Sequence, residues 1–268
     1  MGDLQQELSA HPASLVLDVG AFDGRDAIFY ARSGGHRVFS FEPTPRKVEG
    51  IQQLLAKEGM SHNVTVFNLA LSNYTGTTTF WEREEDGSRG DDQMGWPRAF
   101  DGRRPAADQF AILSGKVAGT APSKLMGNAK PRQVAVDTLD HIVGRGTRVL
   151  YAKIDVQGHD FEVVYGAERL LTHHMVRTLA FEVYTEGDVA KEEEYARLVG
   201  WLAARGMACY DCARPTWKLA PSDAKAWDAR ALVRNLSVSI HRKFRETHGS
   251  KWTNFVCYVP RKHSATPA

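Results

Sequence analysis

A chain of 268 residues, 43% hydrophobic and 25% charged, is long enough to bury a large core as one domain or two. The formal net charge of +2 gives no global signal for a polyanionic partner, and the start MGDLQQELSAHPAS lacks the basic-then-apolar form of a secretory signal. No apolar run approaches the roughly 20 residues of a membrane span, so no membrane association is expected. Three cysteines (Cys209, Cys212 and Cys257), an odd count without such a signal, fit a reducing compartment, and the expected location is cytoplasmic. Gln6 stands where a myristoylated N-terminus would carry Ser or Thr.

After a short, polar, partly helical lead-in over residues 1–13, the segment from Ser14 to Pro45 organises the chain. Leu15, Val16, Leu17 and Val19 form an apolar run of strand length, ended by Gly20. Gly20 and Gly24 flank a tight turn, Asp26 to Arg32 has helical character, and Gly34-Gly35 stops it. Val38, Phe39 and Phe41 form a second strand that runs into Glu42-Pro43.

That layout carries chemistry. In an open parallel sheet, ligands bind beyond the carboxyl ends of the strands. Missing side chains in the first turn let a nucleoside approach the backbone, and an acid ending the second strand takes hydrogen bonds from ribose hydroxyls. Glu42 stands 22 residues after Gly20, close to the spacing such an acid requires. The dinucleotide fingerprint needs a second glycine to admit a pyrophosphate, and here Ala21-Phe22 occupy its place. Asp18 and Asp23 add negative charge, which suits a cation better than a diphosphate. S-adenosylmethionine has an amino group, a sulfonium and a ribose but no phosphate, so it fits these residues better than NAD does.

Further along, Pro43-Thr-Pro45 opens a helix over 46–58, with Val48, Ile51, Leu54 and Leu55 on one face. Residues 64–71 read as a third strand whose end, from Asn68 to Ser72, comes beside the adenine, with Ala70 and Leu71 covering a ring face. Thr77 to Trp81 reads as a returning strand. Residues 82–130, rich in Gly, Pro, Arg and Asp, are too long for an ordinary connection and read as an insertion that covers substrate. A short strand at Val134 and a buried strand from Val149 to Asp155 follow, then a helix from His159 to Leu171. A strand from Thr178 to Tyr184 precedes a helix from Lys191 to Arg205 and a strand from Met207 to Cys212. Residues 214–252 read as a helical, basic insertion, and Asn254 to Val259 as a closing strand. Alternation of this kind predicts one α/β domain over 1–268, a doubly wound, mostly parallel, seven-stranded sheet. Cys209-Tyr-Asp-Cys212, a single C-x-x-C in a strand, reads as packing rather than zinc or redox chemistry.

Several stretches together resemble the FkbM family of S-adenosylmethionine-dependent methyltransferases: Asp18-Val-Gly-Ala-Phe-Asp-Gly24, Phe41-Glu-Pro-Thr-Pro45, Asn68-Leu-Ala-Leu-Ser-Asn73 with Gly76, Thr138-Leu-Asp140, and Lys153-Ile-Asp-Val-Gln-Gly158 followed by Gly166-Ala167. The chain departs from the family pattern at Phe22, where members often have Asn, and at Gln157-Gly158-His159-Asp160, where Glu-Gly-Ala-Glu is common. The resemblance implies the Rossmann-like class I methyltransferase fold and methyl transfer from S-adenosyl-L-methionine. The acceptor it implies is a hydroxyl on a sugar, glycan or secondary metabolite.

On that footing the cofactor site is expected at Gly20, Ala21, Asp23, Gly24, Glu42, Pro43, Ala70 and Leu71, with Asp18 and Asp155 facing the cationic end. His159, of a residue type whose ordinary pKa lies near neutrality, is a candidate general base, and Glu182 could hold a substrate hydroxyl. The candidate catalytic set is therefore Asp155, His159 and Glu182. Asp155, Asp160 and Glu182 lack diagnostic metal spacing, and no metal is expected. The basic run from Arg230 to Lys251 reads as a solvated face, so the expected partner is a small-molecule or glycan acceptor rather than nucleic acid. Two alternatives remain at this stage. One is an NAD-dependent oxidoreductase of similar architecture, and the other a non-catalytic nucleoside-binding protein that has lost an acid at Gln157.

Overall fold

The computed structural model describes residues 2–82, 130–156, 159–184, 189–212 and 252–259. Helix α1 (Gly2–Ala10) leads into β1 (Leu15–Val19), α2 (Arg25–Gly34), β2 (Arg37–Phe41), α3 (Pro45–Lys57) and β3 (Val64–Phe67). Strand β1 is an apolar run because it lies in the sheet interior, covered on both faces. Helix α2 ends where Gly35 adopts the left-handed conformation. Helix α3 starts with Pro45, whose missing N–H costs nothing in a first turn, and buries Val48, Ile51 and Leu55. Each of those side chains contributes about 1.5–3 kcal/mol by leaving water.

The third strand is shorter than the sequence predicts. Strand β3 stops at Phe67, and Ala70–Leu71 (β4) leave the main sheet. With β5 (Gly76–Glu82) and β6 (Lys130–Asp137) they form a separate sheet of order β4-β6-β5, parallel on one side of β6 and antiparallel on the other. The short helix α4 (Leu139–Ile142) then leads to β7 (Val149–Ile154). The predicted helix after β7 is two helices, α5 (Asp160–Tyr165) and α6 (Glu168–Thr172). The chain breaks at Gly166, where the Ser72 carbonyl oxygen sits 2.0 Å from where a Cβ would be. Strand β8 (Val176–Tyr184), α7 (Val189–Ala204), β9 (Ala208–Cys212) and β10 (Trp252–Tyr258) complete the described chain.

The main sheet has the seven strands expected, in the order β3-β2-β1-β7-β8-β10-β9. Pairing is parallel from β3 through β8, and β10 alone runs antiparallel, between β8 and β9. Side-chain alternation splits the core between the two faces. Leu17, Val19 and Ile154 pack with α5, α6 and α7 on one face. Val16, Val38 and Tyr151 pack with α1, α2 and α3 on the other. The order reverses direction between β1 and β7, so the carboxyl ends of β1, β2 and β7 frame the crevice where such sheets bind ligands.

Residues 83–129 and 213–251, which hold nearly all of the two predicted insertions and the basic run, lie outside the described residues. Their edge residues Glu82, Lys130 and Trp252 belong to β5, β6 and β10. No described helix is long and apolar enough to cross a membrane.

Cys209 does not pair with Cys212. It faces Cys257 across β9 and β10 and is disulfide-bonded to it, with a sequence separation of 48. The bond ties the last strand to its neighbour, and closing a loop of this length stabilises by about 2–4 kcal/mol. Peptide mapping without reductant is expected to recover Cys209 joined to Cys257, and reductant is expected to lower the melting temperature by several degrees.

Candidate active site

At the tip of β1 the backbone must pass very close to β7. Gly20 has φ +82, and a Cβ there would lie 1.9 Å from the Asp155 carbonyl oxygen. Gly24 has φ +77, and a Cβ there would lie 2.8 Å from Ile51 Cγ2 of α3. Both glycines are thus required by the packing of the protein against itself, a constraint separate from the room for a ligand that the sequence suggests. Ala21 is buried, and its amide, like that of Gly20, donates to the Phe41 carbonyl.

Glu42 ends β2 as predicted, and its carboxylate is held on both oxygens. The Phe22 amide donates to Oε2 at 3.1 Å and the Thr44 amide to Oε1 at 2.9 Å. Each oxygen keeps a further lone pair, which is what two ribose hydroxyls would use. Asn68, at the end of β3, donates from Nδ2 to the carbonyl oxygens of Glu42 (3.1 Å) and Pro43 (3.0 Å). It therefore clamps the loop that presents the acid, a role that an amide after an apolar strand does not advertise in the sequence. Phe22 pays for its place: φ is +51, a left-handed conformation that a bulky residue adopts at a cost of about 1 kcal/mol or more.

Asp18 and Lys153 are register partners on β1 and β7 and project to the same face of the sheet, where α2 lies. The Lys153 ammonium, almost fully buried, lies 2.9 Å from Asp26 Oδ2, 3.6 Å from Asp155 Oδ2 and 3.8 Å from Asp18 Oδ1. Burial works against its charge, but Asp18, Asp155 and Asp26 outweigh burial and hold the ammonium well above its ordinary range. Burial, only partly offset by Lys153, pushes the Asp18 carboxyl up to about 6. In the sequence Asp26 is only the first residue of a helical stretch. Its contact with Lys153 depends on how α2 lies across the strand ends.

Glu182 joins this group from β8. It lies one residue beyond Phe181, which pairs with Ile154 in the register of β7 and β8, and its side chain hydrogen-bonds to that of Asp155. Burial first, and the Asp155 charge second, hold the Glu182 carboxyl well above the usual range, so it carries a proton near neutrality. The structure thus brings Asp18, Asp26, Lys153, Asp155 and Glu182 into one cluster, with Glu42 at the neighbouring strand end.

The other predicted residues lie apart from that cluster. The Asp23 carboxylate is exposed and turns to Arg25, accepting its amide at 3.1 Å and pairing with its guanidinium at 3.3 Å. Leu71 is buried in the core and Ala70 is half-buried, both in the second sheet rather than at the end of β3. Asp160 is buried at the start of α5, where the Val156 amide donates to it at 3.5 Å. Among the described residues, no three or more His, Cys, Asp or Glu side chains are grouped to hold a metal ion. The His159 ring has Nε2 at 3.1 Å from Ser72 Oγ and Nδ1 at 3.2 Å from Glu162 Oε2. Burial lowers its pKa to about 3, which keeps the ring neutral, and burial also raises the Glu162 carboxyl to about 7.

A family model described as "Methyltransferase FkbM domain" matches residues 18–208. No curated protein matches the chain. Among solved structures, the chain is similar to the methyltransferase FkbM from Methylobacillus flagellatus KT at 15% identity and a TM-score of 0.42, covering 70% of this chain and 37% of that one. The chain therefore spans little more than a third of that protein's length. An rRNA methylase from Streptococcus thermophilus gives 12% identity and a TM-score of 0.47, covering 95% of this chain and 93% of that one. A SAM-dependent methyltransferase from Geobacter sulfurreducens, in complex with S-adenosyl-L-homocysteine, gives 13% identity and a TM-score of 0.39, covering 97% and 92%.

The neutral state of His159 has a measurable consequence. In the unfolded chain the imidazole takes up a proton near its ordinary pKa of 6.5, whereas in the fold it does so only at about 3. Its contribution to stability is therefore complete above about pH 6.5 and is lost as the pH falls below it, by on the order of 2 kcal/mol at pH 5. Carboxylates with raised pKa values shift the opposite way, so the comparison must be with a variant. The melting-temperature advantage of wild type over His159→Gln is expected to shrink between pH 7.5 and pH 5. An advantage that stays constant would show a ring already protonated or exposed.

Proposed function

The chain belongs to the FkbM methyltransferase family, and from that premise we propose that it transfers a methyl group from S-adenosyl-L-methionine to a hydroxyl of a sugar, glycan or secondary metabolite. The observation that carries this reading is the pairing of two features at adjacent strand ends. Glu42 presents a carboxylate fixed by two backbone amides, and beside it three aspartates surround a single ammonium. The first matches a ribose. The second leaves an excess of negative charge that favours the amino group and sulfonium of this cofactor and opposes a diphosphate.

When bound, the cofactor supplies an electrophilic methyl group on a sulfonium, and the chain's task is to align an acceptor and take its proton. Asp155 is the general base in this reading. Glu182, protonated near neutrality, donates a hydrogen bond to Asp155, so the pair carries one negative charge rather than two. Lys153 holds that charge in place and keeps Asp155 oriented. His159 acts at a distance from the proton transfer, holding Ser72 and with it the connection between β4 and β5. Acceptor choice is assigned to 82–130 as a lid and to the basic stretch 214–252. The second alternative from the sequence, a nucleoside-binding protein without turnover, is disfavoured by this carboxyl pair, which supplies an acid–base group even with Gln157 in place of a glutamate.

Two measurements test the reading. Isothermal titration should show S-adenosylmethionine and S-adenosylhomocysteine bound and NAD not bound, with Glu42→Ala weakening both by about a hundredfold through loss of charged hydrogen bonds to ribose. Binding of NAD alone, or of nothing, would remove the cofactor assignment. A screen of hydroxylated sugars, glycans and metabolites with methyl-labelled donor should then identify an acceptor labelled on oxygen. On it, Asp155→Asn should lower turnover by about 10²–10⁴, a larger loss than its effect on S-adenosylhomocysteine affinity. Label on nitrogen or in RNA would overturn the acceptor class.

A further inference from the structure

Among the described residues, one large hydrophobic side chain is exposed: Phe22, at 50%. It is also one of the few non-glycine residues there with a left-handed backbone, φ +51. Core packing does not account for that combination, because the ring lies outside the core and a residue such as Asn would hold the same backbone more easily. Its position, however, is fixed closely. The Phe22 amide is 3.1 Å from Glu42 Oε2, and Lys47, in the first turn of α3, places its ammonium 4.4 Å from the ring centroid. A hydroxyl hydrogen-bonded to the same carboxylate lies about 2.7 Å from it, so a ribose there comes within one side-chain length of the Phe22 ring. A large apolar face that is held in water next to a ligand position is a surface waiting for that ligand.

We propose that the Phe22 ring is the outer wall of the adenosine pocket, steadied by Lys47 and covered by the nucleoside whose ribose Glu42 accepts. The inference rests on the cofactor reading above and adds a residue that reading does not use. The ring also occupies the place where a dinucleotide turn needs glycine, so the wall that packs on adenosine also bars a pyrophosphate from the backbone.

Titration of S-adenosylhomocysteine and of free adenosine into wild type, Phe22→Asn and Phe22→Tyr separates the possibilities, with ligand-free melting curves as the control. Phe22→Asn should weaken both ligands by about tenfold, as expected for a lost aromatic contact, without lowering the ligand-free melting temperature. Phe22→Tyr should bind both as wild type does. Affinities for Phe22→Asn within twofold of wild type, or an equal loss in Phe22→Tyr, would overturn the wall and leave the cofactor reading intact. Wild type that binds neither ligand would overturn the cofactor reading and the wall with it.

Discussion

The Lys153 ammonium holds together carboxylates that would otherwise repel one another. Asp18 comes from β1, Asp26 from α2 and Asp155 from the end of β7, each within 4 Å of the same nitrogen. At such distances a pair of unit charges interacts by about 4 kcal/mol at the effective dielectric of a protein site. Removing the ammonium would leave buried Asp18 without a counter-charge, and the loss of one partner from a buried pair typically costs about 3–5 kcal/mol. Two strands and a helix therefore meet in one arrangement for an electrostatic reason as well as a hydrophobic one. Gly20 makes the meeting possible, since any side chain there would push β1 off the Asp155 carbonyl.

The same cluster links fold to chemistry. Asp155 lies against both Lys153 and Glu182, so its carboxylate faces an ammonium on one side and a protonated carboxyl on the other. Burial and the Asp155 charge raise the Glu182 carboxyl, so the pair holds a proton near neutrality. On the opposite face of the sheet, His159 and Glu162 serve position rather than charge. The contact of His159 with Ser72, with Glu162 against the other ring nitrogen, and the close approach of Gly166 to the Ser72 carbonyl fasten the β4–β5 connection to α5.

Much of this was legible in the sequence. Strand β1, the turn, α2, β2 and Glu42 follow from apolar runs of strand length, glycine punctuation and one acid at the right spacing, all of them local signals. What was not legible depends on register or on long-range contact. Ala70 and Leu71 look like the continuation of β3 because an apolar strand reads the same whether it stays in its sheet or leaves to pair with β6. The contact of His159 with Ser72 spans 87 residues, and nothing near either residue announces it. Lys153 and Asp18 were both visible, but their adjacency is a fact of register between strands far apart in the chain. The glycines of the turn were legible, but the close approach of their bare backbones to Asp155 and Ile51 was not.

The charge cluster and the turn also give independent reasons for the same cofactor preference. A dinucleotide would bring a diphosphate to the β1 turn, where Phe22 stands in a left-handed conformation and its amide already donates to Glu42. That amide is then already engaged, and a bulky side chain stands where a dinucleotide turn needs glycine. Electrostatics opposes the diphosphate as well, because three aspartates to one lysine leave the strand ends negative. A sulfonium and an ammonium reverse the sign of that second term, while the proposed ribose contact of Glu42 is the same in either case. Steric and electrostatic terms thus point the same way, and the site would need changes at both Phe22 and the aspartates before it could accept a pyrophosphate.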